Sequence, residues 1–321
     1  MFDWDLKKRV IAGGIAGFLL LFLGCAAYFY QPQSKTDYIY KSALKDFQEG
    51  KYQNSYYLFS KISLFSNLKP VSIYHRAECA KMLGDDKSEL KQYEFLFNNY
   101  PKHKLSLKAR YLAGQKLIEE KPQIAQKYFE YIIQNAPNTD YAIASEYYLG
   151  LLLMNKHKND KIIPTSVKDD VQNYFRHYLK KAPSGRLALK AADDWLKFVD
   201  NISQDDYLLL ANTYYLFGEY AQAKELVSKT DIHEGWVLDA KILFALKDYS
   251  KAKTAVETGL QKYSAYVSED DITNIIDMYQ VTLGFGKGYV RRFGVGIVLF
   301  NERRGNKIGF KEFRKHRVLH R

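Results

Sequence analysis

Cysteine and proline are scarce in this chain of 321 residues, at two and seven. Two thiols, Cys25 and Cys79, supply neither a disulfide framework nor a tetrahedral zinc site. The seven histidines (His75, His103, His157, His177, His233, His316 and His320) show no metal-ligand spacing such as His-Glu-x-x-His, because His233-Glu234 leads into Gly235-Trp236. Gly284-Phe285-Gly286-Lys287-Gly288 lacks the spacing, the Ser or Thr and the preceding strand of a phosphate loop. No catalytic, cofactor-binding or metal-binding residue is therefore assigned, no cofactor is expected, and the residues of any binding site are left unassigned. What the chain does have is apolar material: 47% hydrophobic against 26% charged residues, which excludes global disorder.

The net charge of +12 is unevenly spread. Residues 281–321 hold 11 Lys and Arg against Glu302 and Glu312, so nine of the twelve net charges sit in the last 41 residues and the remainder is nearly neutral. No helical or aromatic reading element accompanies that basic tail, and no nucleic-acid partner is expected.

Val10 to Tyr30 is a run of 21 uncharged, mainly apolar residues, enough at about 1.5 Å per residue to cross roughly 30 Å of hydrocarbon. Lys7, Lys8 and Arg9 precede it and Gln31-Pro32-Gln33-Ser34 follows, so the positive-inside rule places the N-terminus in the cytoplasm and the body outside. Tyr28 and Tyr30 fall at the far interface, and Pro32 stops the helix. Two other readings stay open. One is a cleaved secretory signal; the other is a lipoprotein signal in which Phe22-Leu23-Gly24-Cys25 serves as a lipobox.

Between Lys35 and Leu283 only eight glycines occur, and the prolines punctuate apolar stretches of period 3.6. Tyr38–Phe47 and Ser55–Leu64 flank the turn Glu49-Gly50-Lys51-Tyr52, and Ile73–Leu83 and Ser88–Tyr100 flank Gly84-Asp85-Asp86. Three segments then align without gaps: YPKHKLSLKARYLAG from Tyr100, APNTDYAIASEYYLG from Ala136 and APSGRLALKAADDWL from Ala182. They put the small residues Ala109, Ser145 and Ala191 in one column, as close helix crossings require. Pro101 to Pro137 is 36 residues, while Pro137 to Pro183 is 46 and implies an inserted loop over 155–168. Later units follow as Tyr207–Phe217 with Ala221–Lys229, and Trp236–Leu246 with Lys251–Tyr263. About fourteen helices in seven pairs are expected. Tyr93, Phe97, Tyr128, Phe129, Tyr148 and Tyr174 fall at packing positions and read as core rather than as sugar-stacking platforms. Of the acidic pairs Asp85-Asp86, Asp169-Asp170, Asp193-Asp194, Asp205-Asp206 and Asp270-Asp271, four are expected to begin helices and cap them.

Gly50-Lys51-Tyr52, Leu83-Gly84-Asp85, Tyr100-Pro101, Ala136-Pro137 and Gly218-Glu219-Tyr220-Ala221 resemble degenerate tetratricopeptide repeats, whose period is about 34 residues. More narrowly, this grammar resembles the helical, non-catalytic superhelix of bacterial soluble lytic transglycosylases. That resemblance implies a C-terminal lysozyme-like domain with a catalytic Glu followed by Ser. The chain has no Glu-Ser dipeptide, and the residues after 280 are too few to build such a domain, so no residue inherits the role.

After Gln280 the helical grammar stops, and seven of the 19 glycines fall there. Two origins stay open: an authentic disordered or β-hairpin tail that contacts anionic lipid or wall polymer, and a shifted reading frame replacing the rest of a longer protein.

The expected fold class is all-α, a single N-terminal transmembrane helix followed by a tetratricopeptide-like superhelix of paired antiparallel helices. The expected divisions are a cytoplasmic segment 1–9, an anchor 10–30, a linker 31–37, a helical repeat 38–283 and a basic Gly/Arg-rich tail 284–321. The expected function is a non-catalytic scaffold anchored in the cytoplasmic membrane of a bacterial envelope, its body on the periplasmic or wall side, binding a protein or peptide partner or peptidoglycan. The alternatives are the front part of a lytic transglycosylase and a membrane-bound assembly factor or chaperone accessory.

Overall fold

A computed structural model of the chain describes residues 33–263, 268, 270, 291–293 and 296–298. The expected anchor at 10–30 lies outside the described residues, as does most of the tail. No described helix is long and apolar enough to cross a membrane.

The chain divides into two compact units, Met1–Leu152 and Leu153–Arg321. The first contains α1 (Gln33–Gln48), α2 (Tyr52–Ser60), α3 (Lys69–Met82), α4 (Asp86–Asn99), α5 (Lys104–Leu117), α6 (Pro122–Asn135) and most of α7 (Asp140–His157). The second contains α8 (Thr165–Lys181), α9 (Ala188–Phe198), α10 (Gln204–Leu216), α11 (Tyr220–Val227), α12 (Ile232–Ala245) and α13 (Tyr249–Lys262). In the first unit each helix from α1 to α6 packs on the next, and α3 also meets α5; in the second, α10 meets α12 across α11. This is the helix–turn–helix tandem of a tetratricopeptide-like repeat.

Two kinds of junction repeat. Within pairs, the turn residue is left-handed: Gly50 (φ 76°), Gly84 (φ 71°), Gly218 (φ 81°) and, without glycine, Lys247 (φ 62°). The following N–H reaches back five residues each time, from Lys51 to Asp46, Asp85 to Ala80, Glu219 to Tyr214 and Asp248 to Leu243, at 2.8–3.0 Å. That bond closes a helix C-terminus whose last carbonyls have no partner of their own. Ahead of the aligned prolines, Tyr100, Ala136 and Ala182 take nearly the same non-helical cap (φ −129°, −147° and −139°; ψ 53°, 54° and 61°). Proline disfavours the helical conformation in its predecessor, and α4, α6 and α8 all end there.

The small column packs as expected: Ala109, Ser145 and Ala191 are wholly buried. Ala109 and Ala113 of α5 join Ile73, Tyr74 and Ala77 of α3 and Tyr93, Leu96 and Phe97 of α4 in one cluster. Trp236, Val237 and Ala240 of α12 pack with Val256 of α13 in another.

Several boundaries differ from the sequence reading. Helix α1 begins at Gln33, inside the expected linker 31–37, because Thr36 lies one face-repeat ahead of Ala43 and is buried with it. Helix α2 stops at Ser60, short of Leu64, where the Ser63 and Ser66 hydroxyls accept the N–H groups of Phe65 and Leu68 and favour a turn. The inserted loop is shorter than 155–168: α7 runs on to His157 and α8 starts at Thr165, directly after Pro164. Helix α9 has no partner joined by a tight turn, since Val199 is extended (φ −112°, ψ 121°) and Ser203 already caps α10. In the tail, β1 (Arg291–Phe293) and β2 (Gly296–Val298) pair antiparallel with Arg291 opposite Val298, a local departure from an all-α chain.

Candidate interaction site

The residues singled out in the sequence are mostly absorbed by structure. Tyr93, Phe97, Phe129 and Tyr148 are buried, and Tyr128 and Tyr174 are half-buried. Asp85 caps α4, its side chain accepting the Ser88 N–H at 3.0 Å, and Asp205-Asp206 occupies the first turn of α10. Asp169-Asp170 and Asp193-Asp194 lie inside α8 and α9 instead of at their starts; Asp193 accepts a hydrogen bond from the Tyr214 hydroxyl, and Asp271 is outside the described residues.

His75 sits in α3 among Tyr40, Phe47, Phe59 and Tyr74, stacked on Phe59 at 5.1 Å, with Nδ1 3.0 Å from Glu78 Oε2. His103 caps α5, His157 meets Asp160 at 2.7 Å, His177 lies in α8, and His233 meets Asp231 at 2.9 Å. His316, His320 and the segment 284–288 are outside the described residues. No group of three His, Cys, Asp or Glu side chains able to hold a metal ion occurs among the described residues.

The arginines of the body separate into distinct environments. Arg176 of α8 closes a fork on Asp206 of α10, Nε to Oδ1 at 2.7 Å and Nη2 to Oδ2 at 2.6 Å, while its guanidinium carbon lies 5.7 Å from the Trp195 ring centroid. Arg76 of α3 lies 4.5 Å over Tyr56 and donates to that hydroxyl at 3.1 Å, its Nε buried.

Arg110 of α5 is placed differently. Its guanidinium carbon is 3.8 Å from the Tyr131 centroid and 4.2 Å from that of Phe97, with Tyr128 at 5.7 Å. Phe97 comes from α4 and the two tyrosines from α6, so three consecutive helices build the cage. Phe97 and Tyr128 meet edge to face at 5.1 Å. The Tyr128 hydroxyl donates to Glu94 Oε1 at 2.9 Å, and burial first, then Glu94, pushes that phenol up to about 12.

Among the described residues no carboxylate or carbonyl accepts from Arg110, yet none of its nitrogens is among the buried polar atoms left without a partner. The ring faces therefore cover the guanidinium while its N–H edge reaches solvent. Burial lowers its pKa from the usual guanidinium value, with Tyr131 and Tyr128 acting in the opposite sense. Beside it, Ile124, Tyr128 and Tyr131 follow one another along a single face of α6, with Ile124 38% and Tyr131 37% exposed. Sequence reasoning missed Arg110 because its cage comes from 13 residues upstream and 18 and 21 downstream. No local spacing announces such a cage.

No protein-family model matches the chain, and no curated protein matches it. Solved structures similar to it include a tetratricopeptide repeat protein from Parabacteroides merdae, at 15% identity over 76% of this chain and 84% of that one, with a TM-score of 0.39. They also include the pilus biogenesis factor PilW, at 13% identity over 77% and 100% (TM-score 0.36), and the TPR2AB domain of yeast Sti1 in complex with pHSP90, at 13% over 77% and 98% (TM-score 0.35). At such identities nothing about partner or activity passes from them to this chain.

Proposed function

We propose that this chain is a membrane-tethered helix-pair scaffold that holds a protein partner at the outer side of the cytoplasmic membrane. The observation that carries the partner is Arg110: a half-buried guanidinium close over two rings, with an open N–H edge and, among the described residues, no carboxylate bonded to it, Glu94 being taken by the Tyr128 hydroxyl. A cation half withdrawn from water with no carboxylate bonded to it costs stability in the free chain. A partner that supplies the acceptor offsets that cost. The tether rests on the sequence of Val10–Tyr30 and its basic flank at Lys7, Lys8 and Arg9. Anchoring confines the scaffold to a thin layer and raises its effective concentration for a membrane-bound partner. The relation to lytic transglycosylases rests on the proline and turn motifs alone, and no catalytic role is built on it.

The test is amine cross-linking in intact cells that naturally make the protein, followed by fractionation, for the full chain and for a chain lacking residues 1–32. The full chain is expected in the membrane fraction with a reproducible heterologous adduct, and the shortened chain in the soluble fraction. A full chain that fractionates as soluble, or yields only adducts with itself, overturns the proposal.

A further inference from the structure

We infer that the partner docks by lodging a single Asp or Glu side-chain carboxylate, flanked by an apolar residue, on the exposed N–H edge of Arg110. This rests on the scaffold reading above and names the chemistry of its ligand.

The chain itself shows what a ring-backed guanidinium does when an acid is in reach. Arg176, beside Trp195, takes Asp206 in a two-bond fork at 2.6 and 2.7 Å. Arg110 is more closely backed, at 3.8 and 4.2 Å, and has the same planar donor edge with no acid bonded to it among the described residues. With ring centroids at 3.8 and 4.2 Å the guanidinium is held in place before any ligand arrives, so little side-chain freedom remains to be lost on binding.

The charge of the rim selects among anions. One guanidinium matches one carboxylate. Glu94, held against the cage by the Tyr128 hydroxyl at 2.9 Å, adds a negative charge that weighs against a phosphate dianion. The half-exposed Ile124 and Tyr131 on the same face of α6 supply an apolar surface for a neighbouring side chain of the ligand. An acidic–apolar segment fits both features; a purely acidic tract uses only one.

The probes are three sets of fluorescent octapeptides, measured by anisotropy against the full chain in dodecyl maltoside micelles. The first is blocked at both ends and carries one Glu or Asp beside Leu or Phe. The second replaces the acid by Gln or Asn. The third has an uncharged body and a free C-terminal carboxylate. The first set is expected to contain the binders; affinity confined to the third set, which offers only a terminal carboxylate, overturns the inference. Removing the acid, or substituting Arg110→Gln, is expected to weaken those binders roughly ten- to hundredfold. Arg110→Lys, which keeps the charge and loses the fork, is expected to fall between wild type and Arg110→Gln. Unchanged helicity by circular dichroism verifies that both variants fold.

Equal affinity for wild type and Arg110→Gln, equal affinity for Glu and Gln peptides, or tighter binding of versions of the first set that carry phosphoserine in place of the acid overturns the inference. So does the absence of any carboxylate binder. Each of these outcomes leaves the heterologous adduct of the cross-linking experiment standing, so the two readings fail separately.

Discussion

Ser203 and Arg176 both bond the carboxylate of Asp206: the serine hydroxyl donates to Oδ2 at 2.7 Å while the guanidinium spans both carboxylate oxygens. The carboxylate ties α8 to the first turn of α10, and Asp206 is only 3% exposed. Burial alone raises its pKa, but the bonds from Arg176 and Ser203 outweigh it and hold the carboxyl below the usual carboxylate range.

A depressed folded-state pKa means stability that is present above the unfolded value, about 3.9, and is lost as pH falls through the folded one. Acid titration monitored by circular dichroism is expected to destabilise the second unit below about pH 4. Asp206→Asn, which leaves Arg176 without its counter-charge, is expected to cost about 3 kcal/mol at pH 7 and to flatten that acid limb.

Lys247 adopts φ 62° at the turn between α12 and α13, where the equivalent residues Gly50, Gly84 and Gly218 are glycine. A Cβ in that conformation crowds the backbone. Lys247→Gly is expected to stabilise the second unit by about 1 kcal/mol in urea unfolding. Gly84→Ala, with open space around it but φ 71°, is expected to lose a similar amount from the first unit.

Gly259 on α13 lies against the Trp236 indole of α12, and a Cβ there would stand 2.1 Å from Trp236 Cε3. Trp236 is itself buried. Gly259→Ala is expected to force α12 and α13 apart and to lower stability by about 3 kcal/mol, with loss of native Trp236 fluorescence at a lower urea concentration than wild type.

Cys79 is buried in the cluster of Ala43 and Phe59 and donates to the Ser55 hydroxyl at 3.3 Å. Burial pushes its thiol pKa up. Maleimide at pH 7.5 is expected to leave Cys79 unmodified in the native chain and to modify it fully in guanidinium, as peptide mapping by mass reads out.

How far sequence reading reached depended on whether a feature has a local cause. Glycine at 50, 84 and 218 and proline at 101, 137 and 183 mark turns because a positive φ, or a missing N–H, is a property of one residue. The column of Ala109, Ser145 and Ala191 was legible because close crossings repeat with the chain. The turn between Trp236–Leu246 and Lys251–Tyr263 was legible from its register, although the left-handed backbone of Lys247 was not. The start of α1 at Gln33 depended on Thr36 being buried beside Ala43, which is a tertiary outcome. That α9 packs on α8 and α10 without a tight-turn partner, and that rings from two helices cage Arg110, are outcomes of three consecutive elements meeting, and no sequence window contains either.

The most direct measurement places a benzophenone photo-cross-linker at position 124, on the exposed face of α6 beside the Arg110 cage but not part of it, in the full chain within its own membranes, with Ile162, 85% exposed, as the control position. One heterologous adduct is expected from position 124, absent from position 162 and lost with Arg110→Gln. The same adducts from both positions, or an adduct indifferent to Arg110→Gln, would contradict it.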